Sequence, residues 1–147
     1  MGGFAGDLRT IEKAIRRIAR ASDVQSRALS RAAGLTAAQL VALKGVRALG
    51  EVTTNTLSAY ADISAATLIT ILDNLEERGA IERYRSSTDR RIVHTRLTGR
   101  GEAMLDDAPE PLGTAFVERL AALPEQDRRR IVDSLSELAR LMSPEAP

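Results

Sequence analysis

Residues 64–98, SAATLITILDNLEERGAIERYRSSTDRRIVHTRLT, constrain this chain more than any other stretch, because the hydrophobic period changes within them. Leu68, Ile71, Leu72 and Leu75 fall at i, i+3, i+4 and i+7, which is one stripe of an α-helix. Ser64 is a suitable N-cap, and Gly79 stands just past the last apolar turn, where glycine can take the left-handed conformation that closes the final carbonyls. Beyond it the period falls to two. Ile81, Arg83 and Arg85 alternate with Glu82 and Tyr84, then Ser86, Ser87, Thr88 and Asp89 form a turn, and alternation resumes over residues 91–97. The stretch predicts a helix, a glycine stop and a short basic β-hairpin.

The rest of the chain arranges itself around that unit. Residues 7–31 read as a helix with Leu8, Ile11, Ile15 and Ile18 on one face and Arg9, Arg16, Arg17 and Arg20 around the other. Gly34 breaks it, and Thr36 caps a second helix carrying Leu40, Leu43 and Val46 before Gly50. Val52 and Thr53 suit a short third strand, followed by a compact helix over residues 54–60, capped by Thr53 or Thr54 with Leu57 and Ala61 inward. Two short helices joined by a tight turn and followed by a basic hairpin make a winged helix-turn-helix. Gly99-Arg100-Gly101 reads as a turn, after which Met104, Leu105, Leu112, Phe116, Leu120 and Leu123 mark a helical stretch. Pro109 and Pro111 should break it between Asp106 and Gly113, since each lacks an amide hydrogen and crowds the carbonyl four residues back. Pro124 in a first helical turn starts a last helix, with Ile131, Leu135, Leu138 and Met142 at nearly heptad spacing. The expected fold class is mainly α with a small β-hairpin wing.

Composition removes several kinds of function. The chain is 44% hydrophobic but only 3% aromatic, so aliphatic side chains must fill its core. No apolar run is long enough to span a bilayer, and the first residues lack the basic-then-apolar design of a secretory signal, so a cytoplasmic protein with no membrane partner is expected. There is no cysteine and His94 is the only histidine, which argues against disulfides, thiol redox sensing and a zinc site. No nucleophile, base and acid stand in a recognisable pattern and no glycine-rich phosphate loop follows a strand, so neither a cofactor nor enzymatic activity is expected. The net charge is +1, but Arg78, Arg83, Arg85, Arg90, Arg91, Arg96 and Arg100 face only Glu82 and Asp89 across the hairpin region. Such a basic concentration suits a polyanion.

Several motifs in register resemble the MarR family of bacterial and archaeal transcriptional regulators: Gly34-Leu35-Thr36 with Gln39 and Leu43, Leu57 with Ile63-Ser64, Leu75-Glu76 with Gly79, and above all Asp89-Arg90-Arg91 followed by Leu97-Thr98 and Gly101. The resemblance implies a homodimer in which terminal helices form the interface and two winged helices face DNA. It divides the chain into an N-terminal dimerisation helix (1–34), a winged helix-turn-helix (35–100) and C-terminal dimerisation helices (101–147). Leu8, Ile11, Ile15, Ile18, Leu120, Ile131, Leu135, Leu138 and Met142 are the candidate interface, and their stripes independently exceed what a small winged helix can cover. The resemblance also implies repression from a pseudo-palindromic operator, with release by a small organic effector.

The candidate DNA contacts follow. In the helix after Ser64, the side chains of Ala66, Ile69, Thr70 and Asp73 lie opposite the core stripe, flanked by Thr67 and Asn74. Ser64 and the first-turn amides suit a phosphate, Thr67 and Thr70 offer a hydroxyl or a methyl, Ala66 and Ile69 suit a thymine methyl, and Asn74 suits adenine or phosphate. By resemblance Arg91 is the wing-tip arginine for the minor groove, Asp89 orients it, and Arg85 and Arg90 sit over phosphates. Thr36, Thr54 and Asn55 are further phosphate candidates. The sequence departs from the family in one respect: residues 64–77 contain no basic residue and the acids Asp73, Glu76 and Glu77. The wing is therefore expected to carry most of the affinity. The alternative function is a dimeric winged-helix interaction module with weak or lost DNA binding.

Overall fold

A computed structural model describes residues 3–144. The chain runs α1 (Phe4–Ala33), α2 (Ala37–Leu49), β1 (Val52–Thr53), α3 (Thr54–Ala61), α4 (Ala65–Glu77), β2 (Ile81–Arg85), β3 (Val93–Leu97), α5 (Gly99–Asp107), α6 (Thr114–Ala121) and α7 (Glu125–Met142). Two compact units result, the first running to Pro111 and the second beginning at Leu112.

The core of the first unit is aliphatic, as the composition requires. Leu40, Leu43 and Val46 of α2 meet Leu57 of α3 and Leu68, Leu72 and Leu75 of α4, all at most 2% exposed. Each such side chain contributes about 1.5–3 kcal/mol on burial. Leu29 near the end of α1 and Leu105 of α5 close this cluster, so α5, which the sequence groups with the C-terminal helices, packs into the winged-helix core. The sheet has the order β1-β3-β2 and is antiparallel throughout, with Val52 opposite Thr95 and Tyr84 opposite His94. The short third strand is thus present, and His94 is an ordinary strand residue whose ring lies 5.6 Å from that of Tyr84.

Local capping follows the sequence closely. Thr36 and Gln39 form a reciprocal capping box, Thr53 rather than Thr54 caps α3, and Ser64 caps α4. Gly79 takes φ +71° after α4, the left-handed conformation that glycine adopts without steric cost. Three local expectations change. Strand β3 begins at Val93, because Ile92 and Arg91 are drawn into the wing turn by the Ile92 N–H bond to the Asp89 carbonyl. Residues 99–101 form not a turn but the first turn of α5, capped by Thr98. A Cβ at Gly101 would collide there with the Ala80 carbonyl, so glycine at this position lets helix and chain approach. Pro124 occupies the cap position of α7 rather than its first turn, with an extended ψ of 145°. The proline-containing segment does break the helix, between α5 and α6.

In the second unit neither α6 nor α7 buries a single residue, and Phe116, Ile131, Leu135 and Met142 are all exposed. The N-terminal half of α1 behaves alike, with Leu8, Ile11 and Ile18 exposed and Ile15 half-buried. Among the described residues no helix is long and apolar enough to cross a membrane, and no group of His, Asp and Glu is placed to hold a metal ion.

Candidate nucleic-acid interface

Helices α3 and α4 meet through a tight turn in which Asp62 takes φ +52° and the Ser58 hydroxyl donates to the Ile63 carbonyl. With Leu68, Leu72 and Leu75 buried, the opposite face of α4 is presented outward, and Ala66, Thr67, Ile69, Thr70, Asp73 and Asn74 are all exposed. Part of this face is already engaged. The Ser64 hydroxyl donates to Thr67 Oγ1 at 2.9 Å, so the cap holds the Thr67 side chain. Asn74 Oδ1 accepts from Gln39 Nε2 at 2.8 Å, leaving its amide group as the outward donor. Because Gln39 is also half of the Thr36 capping box, the start of α2 is braced directly on α4. Arg78 Nη1 adds a second brace by donating to the Gly34 carbonyl at 2.9 Å.

The wing tip is built from polar bonds. Ser86 N–H donates to the Ile92 carbonyl at 2.8 Å, and Arg85 Nη1 spans the loop to the Arg90 carbonyl at 2.9 Å. Asp89 accepts from the Arg91 backbone amide at 3.0 Å and from its guanidinium at 3.1 and 3.2 Å. This fork holds the Arg91 side chain in one direction while leaving it 90% exposed. The same guanidinium, then the same backbone N–H, holds the Asp89 carboxyl below its ordinary range.

The charge distribution differs from the sequence tally. Arg83 does not face solvent as a free cation, since its Nη2 lies 2.6 Å from Asp73 and its Nε 3.0 Å from Glu76. Arg96 is bonded to Glu82 at 3.0 Å and lies over the Tyr84 ring, 4.8 Å from its centroid. Among the described residues Arg78, Arg85, Arg90 and Arg100 have no carboxylate partner, and of these Arg85 and Arg90 belong to the wing that carries the oriented Arg91. Arg83 and Gln39 are the bracing residues least legible in the sequence. Their partners lie across a helix-strand turn and on another helix, and only the Thr36-to-Gln39 spacing hints at a cap. Thr36 and Asn55 are exposed at the starts of their helices, whereas Thr54 is half-buried.

Residues 35–93, which span α2 through the wing, match the sequence profile of the MarR family. This part of the chain is therefore similar to the MarR family. It is similar to the uncharacterised HTH-type transcriptional regulator YsmB of Bacillus subtilis, at 28% identity over 97 residues. That match covers 66% of this chain and 66% of YsmB, so the chain spans just under two thirds of that relative's length. Among solved structures, BldR of Sulfolobus solfataricus superposes with a TM-score of 0.72 at 20% identity, covering 97% of this chain and 100% of that one. NadR in complex with 4-hydroxyphenylacetate gives 0.67 at 26% identity, covering 88% and 92%. The fold is thus the winged-helix fold of those solved structures.

Proposed function

We propose that this protein is a MarR-type, sequence-specific DNA-binding transcriptional regulator, a cytoplasmic homodimer that represses from a pseudo-palindromic operator. The observation that carries the reading is the wing tip, where Asp89 orients an almost fully exposed Arg91. A narrow A·T-rich minor groove concentrates negative potential that suits such an arginine. Helix α4 enters the major groove with Ala66, Thr67, Ile69, Thr70 and Asn74, while Ser64, Thr36, Thr54, Asn55, Arg85 and Arg90 address the backbone.

Dimerisation is supported by the uncovered apolar side chains of α1, α6 and α7. Leu8, Ile11, Ile15 and Ile18, with Leu120, Ile131, Leu135, Leu138 and Met142, form the proposed interface. On this reading residues 1–34 and 101–147 serve dimerisation and residues 35–100 serve DNA. Two recognition helices then meet successive major grooves about one turn, roughly 10 bp, apart. A small organic ligand releases the DNA by binding one lobe spacing better than the other. The complex of NadR with 4-hydroxyphenylacetate supports an aromatic acid as the first class to test. The absence of any basic residue from α4 favours a second reading, a dimeric interaction module that has lost DNA reading.

The test combines sedimentation with titration of a labelled duplex from the protein's own upstream region at two salt concentrations. A dimer that binds this duplex more tightly than a scrambled one of equal length supports the regulator. A dimer that binds neither favours the interaction module, and a monomer overturns both.

A further inference from the structure

We infer that Arg83 is a positioning residue for DNA recognition, acting as a charge mask that lets an acidic recognition helix lie against phosphates; the inference rests on the DNA reading proposed above. Helix α4 carries no cation of its own, and its acids Asp73 and Glu76 are exposed, with side chains 57% and 41% accessible. On that reading, uncompensated carboxylates on the exposed face of α4 would repel a docked phosphate backbone, an interaction that salt screens over a Debye length of about 8 Å. The guanidinium of Arg83, from β2, closes on both at once. Its Nη2 donates to Asp73 Oδ1 at 2.6 Å and to Glu76 Oε2 at 2.5 Å, and its Nε donates to Glu76 Oε2 at 3.0 Å. The Arg83 backbone amide reaches Glu76 Oε1 at 3.3 Å, so strand and helix are bonded at the same point.

The guanidinium offers several donors from one rigid plane, so Nη2 bridges the two carboxylates while Nε holds Glu76, and arginine stays charged at every physiological pH. The Arg83 side chain is 23% accessible, about half the exposure of the acids it covers, which places the cation beneath them rather than out at the DNA. Its contribution is therefore to remove repulsion, not to contact phosphate. Glu77, the remaining acid of α4, forms no ion pair among the described residues.

The experiment measures anisotropy of a labelled upstream duplex against salt for the full-length wild type, Arg83→Met, the pair D73N/E76Q, and the triple variant. Arg83→Met keeps the alkyl stem and should weaken binding at low salt by about tenfold or more, with the loss shrinking as salt rises and screens the unmasked acids. The triple variant should return to within about threefold of wild type, because no carboxylate is left to mask. D73N/E76Q alone should bind more tightly than wild type with a steeper slope, as Arg83 becomes an uncompensated cation. A folded Arg83→Met that binds like wild type overturns the mask, and so does a triple variant that stays as weak as Arg83→Met. If Arg83→Met melts below the assay temperature, D73N/E76Q decides alone, and unchanged or weaker binding overturns the mask. Wild-type protein that fails on the duplex overturns the DNA reading itself, and this inference with it.

Discussion

Helix α4 and the wing tip belong to the same compact unit, yet they are fixed in place by opposite means. Leu68, Leu72 and Leu75 anchor α4 in the aliphatic core, each at most 1% exposed, and its outward face offers methyls, hydroxyls and one amide. The wing tip has no comparable apolar anchor. Ile92 is 38% exposed, and the loop is held by hydrogen bonds from Ser86, Arg85 and Asp89 while it presents guanidinium groups outward. Shape is thus carried by the element that apolar burial makes rigid, and charge by the element that polar bonds make specific in direction. Damage to the first should appear as reduced stability, and damage to the second as reduced affinity.

The largest effect expected from this contrast is that of Leu72→Ala. Deleting a fully buried leucine side chain from the cluster it shares with Leu43 and Leu57 should cost about 2–5 kcal/mol of folding stability. A chemical denaturation curve would show the midpoint falling, with DNA affinity at low temperature largely kept while the protein stays folded. A cost below about 1 kcal/mol would mean that α4 is not anchored as the burial indicates.

Arg91→Ala should do the reverse. Stability should change by less than about 0.5 kcal/mol, because the Arg91 side chain is 90% exposed and surface pairs contribute little. Affinity for the upstream duplex should fall about tenfold to a hundredfold, since the substitution removes a minor-groove cation and also leaves Asp89 unpaired beside the phosphates. If denaturation and binding moved together for this variant, the division between shape and charge would fail.

The same contrast explains what the sequence reveals. Apolar periodicity is a property of neighbouring residues, so the stripe on α4, the glycine stop and the hairpin alternation are all legible. The Asp89 and Arg91 pair, two positions apart in one turn, is expected only from the family resemblance. Arg83 reads in sequence as one more cation of a basic hairpin because its partners, Asp73 and Glu76, lie on the far side of the Gly79 turn. Residues 99–101 read as a turn because glycines argue against helix, and only the Ala80 carbonyl overhead shows why glycine is needed there. Neighbours that meet only when elements fold back on one another are therefore the ones that sequence does not supply.

Asp89→Asn tests orientation separately from charge. The variant keeps an acceptor for the Arg91 amide but loses the ionic fork, and affinity should fall several-fold, less than for Arg91→Ala. Since the folded carboxyl titrates below its unfolded value, the pair contributes above the ordinary aspartate range, near pH 4, and is lost as pH falls through the lower folded value. Carboxyl-carbon chemical shifts followed by NMR should therefore give Asp89 a midpoint below that of an exposed aspartate, and Arg91→Ala should return it to the ordinary range. An unchanged midpoint in that variant would mean that Arg91 is not what holds the carboxyl down.

The smallest effect should come from Thr70→Ala. Thr70 Oγ1 lies 3.5 Å from the Ala66 carbonyl, too far for a strong bond, so the hydroxyl contributes little to folding and remains available to a base edge. A single hydroxyl bond that competes with water is worth about 0.5–1.5 kcal/mol, less than the charge-assisted interaction that Arg91→Ala removes. Affinity should fall only about threefold, with an unchanged salt slope, because no charge is altered. The change should depend on sequence, however, and shrink towards none on a scrambled duplex, whereas Arg91→Ala should weaken both. Should Thr70→Ala match or exceed Arg91→Ala on the upstream duplex, α4 would be supplying affinity as well as shape, and the ordering of the two elements would reverse.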